Sequence, residues 1–216
     1  VRDDFPQASL ETYMNAAALH PVGRFAAKAI EENLAFRMHG PGPGRSEFTA
    51  ARQADLKTRF GRLIGASANE IAFTASTSDG ENIVVMGLDL AKKQGNVVID
   101  ELHFTTSLYM YKELEKQGVE LRIVKHRNWA IDPADMDKAI DRNTRLVSLA
   151  LVSNVNGYMH DCKAVSDIAH ARGAHVFADI IQAAGAVPLD VKALGIDFAS
   201  CGTYQWLMGE RGLGFL

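Results

Sequence analysis

Cysteine is almost missing from this chain: Cys162 and Cys201 are the only two among 216 residues. A disulfide framework is thereby excluded, one bridge is the most these thiols allow, and a reducing cytoplasm is the default compartment. No apolar run approaches the ~20 residues that span a bilayer, which argues against a membrane partner. The start, Val1-Arg2-Asp3-Asp4, has neither an initiator Met nor an apolar signal core, and reads as a processed or partial chain. An excess of one charge is missing too: 23 Lys and Arg are interspersed with 26 Asp and Glu, for a net charge of -3. Without a basic stripe to track a phosphate backbone, nucleic acid is not an expected partner. Internal repeats and low-complexity tracts are absent. So is the G-x-G-x-x-G fingerprint with its downstream acid, which removes a nicotinamide dehydrogenase from consideration. The Pro- and Gly-rich stretch His39 to Arg45 opposes both helix and strand and reads as a connector.

What is present is an ordinary globular composition, 47% hydrophobic and 23% charged, enough to bury one large core. Glu47 to Ala66 has helical spacing through Phe48, Ala51, Leu56, Phe60 and Leu63 and ends near Gly65. Thereafter short apolar runs alternate with amphipathic stretches. Strands are expected at Glu70 to Thr74, Gly95 to Asp100, Val119 to Val124, Arg145 to Val152, His175 to Asp179 and Asp197 to Cys201. Helices are expected at Gly80 to Gln94, Pro133 to Arg142 and Cys162 to Arg172. A run such as Leu146 to Val152 is apolar on both faces, which suits a parallel sheet covered on both sides. The fold class is α/β, three layers, mostly parallel, with Gly212 to Leu216 turning into a further strand. Ligands of such sheets collect at the carboxyl ends of the strands.

Several polar segments stand at those ends. Phe73 to Asn82 runs from a strand into hydroxyl residues that open a helix, where unpaired N–H groups can hold a phosphate or the hydroxyls can act as plain caps. Val97 to Phe104 ends in acid and imidazole; His103 there can stack on a flat ligand, shuttle a proton or be structural. Asn154 follows an apolar strand and can donate to a ligand or close its own turn. Asp179 ends the near-continuous apolar run Val176-Phe177-Ala178 and needs a buried partner, such as a protonated pyridine nitrogen. His160-Asp161-Cys162 crowds three possible metal ligands without a second cluster, so no metal site is expected. Cys201 is imaginable as a persulfide carrier, but its apolar strand points to an inert buried thiol. Arg24, Arg37 and Arg45 are possible anion binders or solvated surface residues.

Taken in order with Asp197 to Gly209, these segments resemble the class V aminotransferase and cysteine desulfurase family of pyridoxal-5'-phosphate (PLP) enzymes. That family includes selenocysteine lyases and isopenicillin N epimerase-like proteins. The resemblance runs from about Tyr13 to the C-terminus. It implies a fold-type-I transferase large domain over 46–216, preceded by an N-terminal segment and loop over 1–45, with the family's small C-terminal domain absent. It implies PLP as cofactor, an amino acid as substrate of a lyase, transferase or epimerase, and a homodimer. By the same resemblance, Thr77 and Ser78 hold the phosphate and His103 stacks on the ring. Asp179 pairs with the ring nitrogen, Gln182 and Asn154 reach the phenolic oxygen, and Gly202, Thr203 and Tyr204 approach the phosphate from the far side.

One position departs from the pattern. Where the family carries its Schiff-base lysine, this chain has Gln205. An amide nitrogen is neither nucleophilic nor basic, so Gln205 forms no imine and shuttles no proton. Lys163 and Lys192 lie outside the motif. Three explanations stand side by side: a Lys→Gln substitution in an otherwise working enzyme, a natural enzyme that binds PLP or its amine form without a covalent link, and a fold retained for regulation.

Overall fold

A computed structural model describes residues 2–216. Its centre is a seven-stranded sheet in the order β1-β7-β6-β5-β4-β2-β3. The strands are β1 (Phe73–Thr74), β2 (Asn96–Asp100), β3 (Glu120–Val124), β4 (Thr144–Ala150), β5 (His175–Asp179), β6 (Phe198–Gly202) and β7 (Gly214–Phe215). β3, β2, β4, β5 and β6 run parallel. β7 is antiparallel to both of its neighbours, β6 and β1.

Strand alternation divides the core in two. Val98, Val147, Leu149, Val176 and Ala178 face one way, onto Phe60 and Ile64, Met136, and Val165 and Ala169. These come from the helices α2 (Ala50–Ile64), α6 (Pro133–Ala139) and α7 (Cys162–His170). Val97, Ile99, Leu146 and Phe177 face the other way, onto α3 (Thr77–Gly87) and α5 (Thr105–Glu115) through Val84, Val85, Tyr111 and Leu114. This period of two puts Ser148, Asp179 and Ser200 on the α3 side. Gly80 permits the closest approach there, because a Cβ on it would lie 2.2 Å from Ser200 Oγ. α3 therefore lies tightly on β6, with its first turn above the carboxyl end of that strand.

Most expected elements are present with trimmed ends. The strand expected over Glu70 to Thr74 shrinks to Phe73–Thr74, because Ala68–Glu70 closes a 3-10 turn in which Ser67 N–H donates to the Glu70 carboxylate. The helix expected over Gly80 to Gln94 begins earlier, at Thr77, since Ser76 Oγ caps it by accepting from Asp79 N–H. It also breaks at Asp89, whose φ is 53°, before a short α4 (Leu90–Lys93). α2 stops at Gly65, in the left-handed conformation that glycine adopts without strain. Two α-helices among the described residues had no sequence expectation. α5 is one, and the other is α1 (Arg24–His39), which lies inside the stretch read as a segment and loop and buries none of its residues. Among the described residues no helix is long and apolar enough to cross a membrane.

Candidate active site

Register brings Ala150, Asp179 and Ser200 level at the carboxyl edge of β4, β5 and β6. Above that edge is a cavity of about 380 Å³. Its floor is Asp179; its walls include Ser76, Thr77 and Ser78 from the start of α3, and Phe104 from the turn between β2 and α5. Asn154, Tyr204, Gln205 and Arg211 complete it from the loops, and Ala17 and Ala18 from the N-terminal segment. A larger, more open recess of about 880 Å³ lies between α3, α4 and α5. It carries exposed Met86 and Tyr109 but no comparable convergence of strand-end polar groups.

Asp179 is only 4% exposed, and its carboxyl accepts a hydrogen bond from Ile181 N–H at 2.9 Å. Burial pushes its carboxyl up to about 7; the Ile181 N–H opposes that shift and the negative charge of Glu81 adds to it. A cationic ring nitrogen above it would restore the charged form. The start of α3 supplies the opposite polarity. Ser76 caps Asp79, while the Thr77 and Ser78 N–H groups make no hydrogen bond among the described residues. Two free amides at the positive end of a helix dipole suit a phosphate. Thr77 Oγ1 meanwhile accepts from Gly202 N–H at 2.9 Å, locking this turn to the end of β6.

Gln205 is buried at 7% exposure, and its Oε1 has no hydrogen-bond partner among the described residues. A buried acceptor left bare is costly unless a ligand group answers it. Among the described residues no lysine lines the cavity. Lys163 is held by Asp167 at 2.6 Å and Lys192 by Glu70 at 2.9 Å, both on the surface.

The structure therefore gathers Thr77, Ser78, Asn154, Asp179, Gln182, Tyr204 and Gln205 around one cavity. It does not bring His103, Gly202 or Thr203 there. His103 is 1% exposed and turned inward: Nε2 bonds Ser148 Oγ at 2.8 Å and Nδ1 accepts Phe104 N–H at 2.7 Å. The aromatic wall belongs to the next residue, Phe104. Thr203 Oγ1 donates to Glu210 O at 2.6 Å and so shapes the loop rather than the cavity. Gln182 reaches the cavity but is largely committed, donating to Ala17 O at 2.9 Å and accepting from Trp206 Nε1 at 2.8 Å. Asn154 is exposed, and its carboxamide makes no hydrogen bond among the described residues. Cys201 is fully buried and burial holds its thiol far above the ordinary range, which does not suit a persulfide carrier. Among the described residues no three His, Cys, Asp or Glu side chains are grouped to hold a metal.

Sequence reasoning missed Phe104, Arg211 and the N-terminal segment. Phe104 was legible as the residue after His103 at a strand end. Arg211 stands between Gly209 and Gly212 in a short polar loop, with its guanidinium 5.6 Å from the Tyr204 ring centre. The N-terminal segment left no such signal, because it arrives through backbone bonds: His20 N–H donates to Tyr204 O at 2.9 Å.

Comparison with known proteins agrees with this geometry. Residues 38–216 match the family model described as Aminotransferase class-V. The chain is 32% identical, over its whole length, to the probable cysteine desulfurase of Methanothermobacter thermautotrophicus, of which it covers 55%. It is 29% identical, over 94% of its length, to cysteine desulfurase IscS of Anaeromyxobacter sp. strain Fw109-5, of which it covers 52%. The apo structure of a cysteine desulfurase from Thermococcus onnurineus superposes with a TM-score of 0.83 at 26% identity, over all of this chain and 55% of that one. A C-DES mutant with glycine covalently linked to its PLP cofactor shares the fold, with a TM-score of 0.86 at 20% identity over all of this chain and 58% of its own. The chain spans about half the length of the curated relatives it matches. With this family match over most of its residues and a fold-type-I sheet beneath its cavity, the chain belongs to the class V aminotransferase family.

Proposed function

We propose that the cavity above Asp179 binds PLP without a covalent link, and that the whole protein is a PLP-dependent enzyme acting on an amino acid. The observation that carries this reading is the convergence in one cavity of a buried strand-end carboxyl, a free helix N-terminus and the bare Oε1 of Gln205. A phosphate, a basic ring nitrogen and a donor group would answer these three in turn. Thr77 and Ser78 would hold the phosphate with Tyr204 beside it, Asp179 the ring nitrogen, and Phe104 the ring face that the family resemblance gave to His103. Asn154 is free to reach the phenolic oxygen. Bound there, PLP supplies an electron sink for bond breaking at the α-carbon of an amino acid.

This chain's residues hold and orient. Asp179 keeps a negative partner against the ring and, being buried, does so away from water. Phe104 and Tyr204 supply aromatic surface to the cavity lining. Gln205, at the position of the family's lysine, can hydrogen-bond a ligand but can neither form the covalent link nor carry the α-proton. The form with Gln205 is therefore impaired in turnover while keeping its binding site. The same reading carries a homodimer and lyase, transferase or epimerase chemistry on the amino acid.

Absorbance titration with PLP tests it. The protein should retain PLP as the free aldehyde, releasable by dialysis, and Gln205→Lys should turn it into the yellow covalent form. Failure of both forms to bind PLP would overturn the proposal.

A further inference from the structure

Beneath the cavity lies a buried polar chain that the proposed binding of PLP does not use. Glu81, on the inner face of α3, is 1% exposed and pairs with no Lys or Arg among the described residues. Three hydroxyls converge on it: Ser107 Oγ at 2.5 Å, Tyr111 Oη at 2.9 Å and Ser148 Oγ at 2.9 Å. Ser148 in turn meets His103 Nε2, and His103 Nδ1 meets Phe104 N–H.

The donors and acceptors leave one consistent direction. Ser148 Oγ donates to Glu81 Oε1 and so spends its single proton there. Ser148 then has only lone pairs to offer His103, so Nε2 carries the imidazole proton. That leaves Nδ1 bare, which is what the Phe104 N–H requires. The His103–Glu81 approach of 3.8 Å resembles an ion pair, but a protonated imidazole would carry a proton on Nδ1 and repel the Phe104 amide. Burial, the dominant influence on His103, likewise favours the neutral ring.

We infer that Glu81, Ser148 and His103 are positioning residues whose one-way hydrogen-bond relay sets where Phe104 stands in the cavity wall. The relay joins three elements that each supply part of that wall. Glu81 lies one turn inside the helix that starts with Thr77 and Ser78; Ser148 is two residues before Ala150; His103 precedes Phe104. His103 thus acts through its neighbour instead of touching a ligand. That Phe104 faces PLP rests on the proposed function; that the relay places Phe104 does not.

Amide hydrogen exchange on the ligand-free protein, with Ser148→Ala and Glu81→Gln, tests the relay. Ser148→Ala removes the acceptor of the Nε2 proton, so the Phe104 amide should exchange about tenfold faster, while the amides of Phe177 and Ala178 keep their rates. Glu81→Gln can still accept from Ser148 and Tyr111 and donate to Ser107, so Phe104 should stay protected. Nitrogen NMR of the His103 imidazole should show the Nε2–H form in the wild type and in Glu81→Gln. Unchanged Phe104 exchange in Ser148→Ala, equal acceleration in β5, or an Nδ1–H imidazole would each overturn the inference. A PLP titration adds a second arm: Ser148→Ala should weaken PLP several-fold with Phe104 present and have no effect beside Phe104→Leu. Additive losses would overturn the link from the relay to the ligand. If the wild type binds no PLP, the proposed function fails and the exchange result alone decides the relay.

Discussion

The protonation of Asp179 should be visible in the pH dependence of stability. An unfolded aspartate ionises near 3.8, whereas burial raises Asp179 to about 7 in the native state. The folded form therefore holds its proton to higher pH than the unfolded form. The stability this group contributes is complete below 3.8, falls as pH rises towards 7, and is constant above 7. At about 1.4 kcal/mol per pH unit the whole window is worth about 4 kcal/mol, more than half of it between pH 5 and pH 8. Asp179→Asn removes the titration and leaves Oδ1 to accept the Ile181 N–H. Urea denaturation of both proteins across pH 5 to 8 isolates this group from the others that titrate, since only the difference is read. The Asn variant should gain on the wild type steadily to about pH 7 and then run parallel to it. Saturating PLP should shrink the difference, because a cationic partner favours the carboxylate. Parallel curves over the whole range would refute a neutral buried Asp179.

Three further perturbations read other features. Gln205→Met removes a buried acceptor that has no partner, and should raise stability of the ligand-free protein by about 1 kcal/mol in urea denaturation; a loss would mean that Oε1 is satisfied. Gly80→Ala puts a methyl 2.2 Å from Ser200 Oγ and should cost about 1–3 kcal/mol by the same assay, with Ser200→Gly in the same chain restoring part of it. Cys162, whose thiol is pushed up to about 11, and the buried Cys201 should both resist a thiol reagent in the native protein and react together on denaturation. Fast native labelling of Cys201 would contradict its burial.

Much of the architecture was legible without coordinates because it rests on local periodicity. Apolar runs such as Val97-Val98-Ile99 and Val176-Phe177-Ala178 announce two-sided burial, and the helices between them announce a parallel sheet. The strand-end residues Thr77, Ser78, Asn154 and Asp179 were legible for a related reason, since parallel strands deliver their carboxyl ends to one edge whatever lies between them, whereas Tyr204 and Gln205 entered only through the family resemblance. α1 escaped because it buries none of its residues and so has no face for the pattern to mark.

The chain order of residues settled the fold class and the family resemblance, because each depends on residue type and spacing. Only the tertiary structure decided that Phe104 and not His103 walls the cavity, and that Gln182 is tied to Ala17 and Trp206. Which way a strand-end side chain turns depends on the partners waiting inside, here Ser148 and Glu81, and those lie 45 and 22 residues from His103 in the chain.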